Sequence, residues 1–324
     1  MSHAALPTPG TDRRRLTRYA WLSVATAVVT ITLKAGAYLL TGSVGLLSDA
    51  AESVVNLVAA LVAVVALTVA ARPADPMHPF GHAKAEYFSA VVEGAMILIA
   101  SIFIISSAVQ RLLDPQPLEN VGVGLAISVL ASVLNGVVAS VLIRVGRAHR
   151  SLTLVADGRH LLTDVWTSVG VVVGVALVAV TGIWRLDAIV AIVVGINILF
   201  TGYRLIRESV VGLMDTAWDE RENTRLAELL AAFGSGGVRF HALRTRQAGH
   251  QRFAEVHVLV PGEWSVRRGH DLVEDVEDAV RTDMEDVSLT CHLEPLEDPR
   301  SYDDYPAQVN LTEGTVPDGP ATAD

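Results

Sequence analysis

The chain has 324 residues, 51% of them apolar, and a mean hydropathy of +0.42. That is more apolar than an ordinary soluble domain and points to a membrane protein. The net charge of −10 argues against a nucleic-acid-binding role, and the single cysteine, Cys291, excludes an intramolecular disulfide or a thiolate metal cluster. The charge is unevenly spread. Residues 1–207 hold 15 Lys and Arg against 11 Asp and Glu, and residues 208–324 hold 10 against 24, so a mildly basic apolar block precedes an acidic, water-soluble one.

Residues 1–18 read as a basic leader, polar at first and then carrying Arg13, Arg14, Arg15 and Arg18. The apolar run that follows is too long for the core of a cleavable signal peptide, and it reads as a first membrane helix. A spanning helix needs about 20 mostly apolar residues. Six segments meet that length, at 19–40, 46–70, 86–112, 121–145, 152–181 and 185–206, with a polar connector at 71–85. The expectation is a polytopic α-helical membrane protein with six transmembrane helices over 19–207. Arg72 and Lys84, then Arg144, Arg147 and Arg150, then Arg204 and Arg207 collect on the leader's side, which places both termini in the cytosol.

From 208 the pattern changes to that of a small α+β cytosolic domain, 208–297. Apolar residues recur at helical spacing over 220–233 and 266–284, and strand patterns cover 238–243, 252–260 and 287–293. The order α-β-β-α-β suggests helices laid on one sheet face. Residues 298–324 lack periodicity and carry Pro, Gly and acid, the composition of a disordered acidic tail.

The chemistry concentrates in two steps of four residues inside apolar segments, Glu52 to Asn56 in the second and His160 to Asp164 in the fifth. Four-residue spacing puts both members on one helix face. A charged side chain at membrane depth costs about 2.5–3.5 kcal/mol, so such groups mark an ion or substrate path. Two carboxylates, an imidazole and a carboxamide supply four ligand groups of total charge −2, matching a divalent cation; a satisfied polar cluster is the competing explanation. Asp49 and Asp157 sit a turn earlier and either extend a hydrated entry path or solvate helix ends. In the connector, Asp75, His78 and His82 have spacings of three and four and form a carboxylate–imidazole triad suited to zinc. His292 and Glu294, two apart, fall on one face of the last strand. Lys34 and Glu93 are further charges at membrane depth, Lys34 placed to snorkel or pair within the bundle and Glu93 without a role. His250 reads as solvent-exposed, Trp166 as a packing residue and Trp184 as an interface anchor.

Three long motifs in order carry a resemblance: Gly42 to Ala50, His78-Pro-Phe-Gly-His-Ala-Lys-Ala-Glu-Tyr87, and His160 to Asp164, joined later by His241-Ala-Leu-Arg-Thr-Arg246. Over about 15–297 the sequence resembles the cation diffusion facilitator family. The resemblance implies a homodimeric transporter that moves divalent metals out of the cytosol in exchange for protons, in a bacterial-type cell membrane and its lipid bilayer. It implies a transport site at Glu52, Asn56, His160 and Asp164, although relatives commonly have His or Asp at the first position and Asp at the second. It also implies a second metal at Asp75, His78 and His82, and a cytosolic-domain site among His241, His257, His270, His292 and Glu294. Lys84 and Asp215 fall where relatives have a salt bridge that serves as a hinge.

Zinc or iron is the expected ion, both as substrate and as regulator. Cobalt, nickel and manganese stay open, although an imidazole argues against manganese, which favours all-oxygen sites. Metal binding requires deprotonated ligands, which couples it to proton release. Two other readings stand beside the transporter: a metal-sensing membrane protein without transport, and a membrane metal-dependent hydrolase. No HExxH and no protease dyad of clear spacing is present, so an enzyme is not expected.

Overall fold

The computed structural model describes residues 10–41, 44–114, 121–183 and 185–303. It divides into two compact units between Val211 and Gly212.

The first unit is built from helices α1 (Gly10–Thr41), α2 (Val44–Ala70), α3 (Ala85–Leu113), α4 (Val121–Ala148), α5 (Leu152–Thr181) and α6 (Arg185–Leu213). The first helix starts nine residues before the expected 19, because Leu16 in its early turns is fully buried among Ala20, Leu67 and Leu154. Much of what the sequence reads as a leader is therefore helix. Among the described residues, Arg15–Gly36, Ala85–Leu113, Val129–Ala148 and Ala188–Leu213 are long and apolar enough to cross a membrane, and Asn56–Ala70 is a shorter apolar stretch.

α5 is the central helix. Leu154 and Leu161 belong to one apolar cluster with α1, α2 and α4, while Ala156 belongs to a second with Ala90 and Ile97 of α3 and Ile198 and Leu205 of α6. The outer faces are apolar, with Leu61, Val65, Ile102, Phe103, Val137 and Phe200 exposed. The interior instead holds Asn56, Glu93, Asn135, Asp157, His160 and Asp164. This inversion is what lipid permits, since burial of apolar side chains gains nothing against hydrocarbon while polar ones must face inward. Trp166 follows the same rule. At 51% exposed it lies on the outside of α5, not in the packing role expected of it. Trp184 lies outside the described residues.

The start of α5 is fixed by a buried carboxylate on α3. Glu86 accepts hydrogen bonds from Ser151 Oγ (2.5 Å) and the Thr153 backbone N–H (3.3 Å), an acid at a helix N-terminus where the unpaired amides favour it.

The second unit holds α7 (Glu220–Ala231), β1 (Arg239–Ala248), β2 (Gln251–Val260), α8 (Val266–Asp283) and β3 (Val287–Pro295). β1 and β2 form an antiparallel hairpin; β3 adds parallel to β2, which requires the crossover that α8 supplies. Asp219 and Ser265 cap the two helices by accepting from the Glu222 and Arg268 backbone N–H groups. Leu226 and Leu230 of α7 and Val276 and Val280 of α8 pack on Phe240, Val256, Val258 and Leu289 of the sheet. β1 runs five residues past the expected end because Thr245 is buried, bonded to Asn223, while the polar look of Arg244-Thr-Arg246 hides a strand. His250, expected in solvent, is 3% exposed: it sits in the two-residue turn after Gly249 (φ +61°), which folds it back onto the domain.

Candidate metal sites

In the helical unit, the four-residue steps bring Asn56 of α2 against His160 and Asp164 of α5. Asn56 Nδ2 donates to Asp164 Oδ2 at 2.5 Å, and Asn56 Oδ1 lies 2.7 Å from His160 Nε2. One carboxamide thus bridges the imidazole and the carboxylate. Asn135 Nδ2 of α4 gives Asp164 Oδ2 a second amide donor at 3.1 Å. On the opposite edge of the ring, His160 Nδ1 lies 3.4 Å from Glu93 Oε2 of α3, near enough for ion pairing but not aligned as a hydrogen bond. Asp157 accepts from Ser23 Oγ of α1 at 3.0 Å, and its other oxygen is buried without a hydrogen bond among the described residues. Glu52 and Asp49 lie on α2, but their side chains are outside the described residues. The sequence did not single out Asn135, although a lone carboxamide in the apolar run of α4 is the signal that finds it; Glu93 was visible as a charge without a place.

This meeting of helices depends on close approach. A Cβ on Gly158 of α5 would stand 2.7 Å from Ile143 Cγ1 and 3.0 Å from the Ala139 carbonyl of α4. Glycine lets the two backbones touch beside His160.

The connector brings its three predicted residues together. The backbones of Asp75 and His78 bond to each other in both directions, and Asp75 Oδ1 accepts from the Met77 and His78 amides at 2.9 and 2.7 Å. His78 Nδ1 lies 3.2 Å from Asp75 Oδ1, and His82 Nε2 lies 3.4 Å from Asp75 Oδ2. The His78 amide, with its ring and the Met77 amide, holds the Asp75 carboxyl below its ordinary range. One ligand atom from each of the three falls within 4.8 Å of the others, a span one ion can bridge.

In the second unit the side chains of Val256 and Val258 on β2 and of Leu289 and Cys291 on β3 face the helices. By alternation His257, His292 and Glu294 take the other face. Strand register then aligns His241, His257 and His292 in one row across the sheet. β1 bulges just after His241, with Ala242 at φ +51°, a left-handed backbone that re-aims the strand there. Glu294 Oε2 lies 3.1 Å from His241 Nε2 and 3.2 Å from His257 Nδ1, and one ligand atom from each of the three residues lies within 4.8 Å of the others. His292 stands at the rim, 67% exposed at its side chain, with Nε2 3.5 Å from Glu294 Oε1. His270 is not brought to this row; it lies on α8, exposed and beside Glu274.

Two imidazoles and a carboxylate at a single point, found twice, are ligand sets of the zinc type. Residues 20–214 match a family model described as the cation efflux transmembrane domain, and residues 218–296 match the cation efflux protein cytoplasmic domain. The chain belongs to the cation diffusion facilitator family. It is 52% identical over 301 residues to a Synechocystis sp. protein named an uncharacterized transporter, covering 92% of this chain and 97% of that one. It is 31% identical over 284 residues to the cation-efflux pump FieF of Pectobacterium atrosepticum (87% and 94% covered). Against FieF of Cronobacter sakazakii identity is 30% over 283 residues (87% and 93%). The family is one of cation efflux transporters, not enzymes, and this member is an integral membrane protein with a helical membrane domain and a carboxy-terminal α+β domain.

Proposed function

We propose that the protein exports divalent metal cations by exchange with protons, zinc and iron first among its substrates. The observation that carries this reading is the buried chain of contacts from His160 through Asn56 to Asp164, polar ligand groups concentrated inside a bundle whose outside is apolar. Relatives named cation-efflux pumps support it. In this reading α1 to α6 all cross the membrane, both ends face the cytosol and two copies form the working unit. Glu52, Asn56, His160 and Asp164 hold the cargo, with Asp49 and Asp157 on its path. Protonation of these ligands on the far side displaces the ion. Asp75, His78 and His82 hold a second ion, and metal at His241, His257 and Glu294, with His292 at the rim, regulates exchange.

Counter-transport in proteoliposomes tests the reading. Wild-type protein moves zinc or iron against protons, and Asp164→Ala nearly abolishes flux while the dimer stays assembled. Wild-type flux from Asp164→Ala rejects it. One observation favours a second reading, a metal sensor without transport: Asn56 is neutral where relatives commonly carry acid. Binding without flux in the same vesicles selects that alternative.

A further inference from the structure

Glu93 has no part in the four-residue transport site, yet it is fully buried, and among the described residues neither of its carboxylate oxygens makes a hydrogen bond. A carboxylate held from water without a hydrogen bond is expensive, so its place needs a reason. The register of α3 and α5 supplies one. Glu86 binds the N-terminus of α5 at Thr153, and seven residues further along each helix Glu93 meets His160. Seven residues are close to two turns, so the Glu86 lock at the base of α5 sets Glu93 level with the imidazole.

The two edges of that imidazole face different partners. Nε2 faces Asn56 and, through it, Asp164; Nδ1 faces Glu93. An imidazole that gives its Nε2 lone pair to a metal keeps its hydrogen on Nδ1, and a buried N–H needs an acceptor. Carboxylates commonly fill that place behind metal-bound histidines, where they hold the ring and strengthen it as a ligand. We infer that Glu93 is the positioning residue of the transport site: it accepts the Nδ1 hydrogen of His160 and so presents Nε2 to the cation. The inference rests on the transport-site reading above. It also accounts for a site that tolerates neutral Asn56, since a third carboxylate stands behind the imidazole without touching the ion. Direct ligation is not what the geometry favours, because Glu93 Oε2 lies 3.4 Å from Nδ1, on the ring edge away from Asn56 and Asp164, where an ion held at Nε2 does not sit.

The test uses full-length dimer in which His78, His241 and His257 are replaced by Ala, so that only the membrane site binds cobalt(II), followed by its visible absorption. Glu93→Ala is expected to weaken cobalt binding by about 10–100-fold, and Glu93→Gln, whose amide oxygen still accepts, to stay near wild type with an unshifted band. Glu93→Ala binding within about twofold of wild type overturns the inference, as does a shifted band in Glu93→Gln, which would mean direct ligation. Should Glu93→Ala fail to assemble, Glu93→Gln decides alone by nitrogen NMR of the zinc-loaded protein. The His160 Nδ1–H signal must move on replacing the carboxylate by an amide, and an unmoved signal overturns the inference. Asp164→Ala in the same background separates the two readings: unchanged cobalt binding there rejects the transport site itself, whatever Glu93 does.

Discussion

His241 and His257 stand opposite each other in register on neighbouring strands, and each turns a ring nitrogen to the same oxygen of Glu294, at 3.1 and 3.2 Å. Two strands and the far end of a third supply one point where an ion can bind, on the sheet face that the helices leave open.

Metal binding at that point ties three strands together and stabilises the folded domain by mass action. At a free zinc concentration a hundred times the dissociation constant the gain is about 2.7 kcal/mol. In full-length protein with the connector histidines replaced, His257→Ala and Glu294→Ala are expected to lose the zinc-dependent rise in melting temperature of the carboxy-terminal domain. His270→Ala is expected to keep it, because His270 lies away on α8. Calorimetric scans with and without zinc read the difference.

Asn56→Asp replaces the amide that bonds Asp164 at 2.5 Å with a second carboxylate. Two like charges at that distance repel, and without metal the variant is expected to lose about 1–3 kcal/mol of stability, recovered when a divalent ion enters between them. Thermal unfolding of the metal-free and zinc-loaded forms measures both halves. A metal panel of transport rates shows whether the change also alters selectivity.

Gly158→Leu puts a side chain where Ile143 and the Ala139 carbonyl already stand. Overpacking of this kind costs about 1–3 kcal/mol, and here the strain pushes α5 away from α4 beside His160. Metal flux in vesicles should fall together with the melting temperature. Gly182→Ala, where a Cβ meets nothing within 4 Å but φ is +72°, tests local backbone strain without a change at the site.

Cys291 faces the carboxy-terminal core, and burial, with the Glu277 charge adding to it, pushes its thiol from an ordinary 9.0 up to about 12. A raised thiol pKa keeps the unreactive protonated form at neutral pH. The thiolate fraction falls by about a thousandfold, and alkylation by iodoacetamide at pH 8 should slow accordingly. Unfolding in urea restores the ordinary rate; fast labelling of the native protein contradicts the placement.

Much of this protein is legible from its residues in order. Apolar stretches about as long as a bilayer is thick forecast the long helices, and polar groups set four apart within them forecast Asn56, His160 and Asp164 on facing sides. Strand alternation put His292 and Glu294 on one face, and the resemblance named His241 and His257. These signals are local or periodic, so a single sequence carries them. What it does not carry is the relation between distant elements. Only the folded chain shows Asn135 on Asp164 and Glu93 behind His160, because a lone polar residue on a helix has no period and its partner depends on helix packing. Only the strand register and the bulge after His241 separate the clustered histidines from His270, and only the hairpin turn buries His250. Composition and spacing decided which groups face inward; contacts between helices and between strands decided which of them meet.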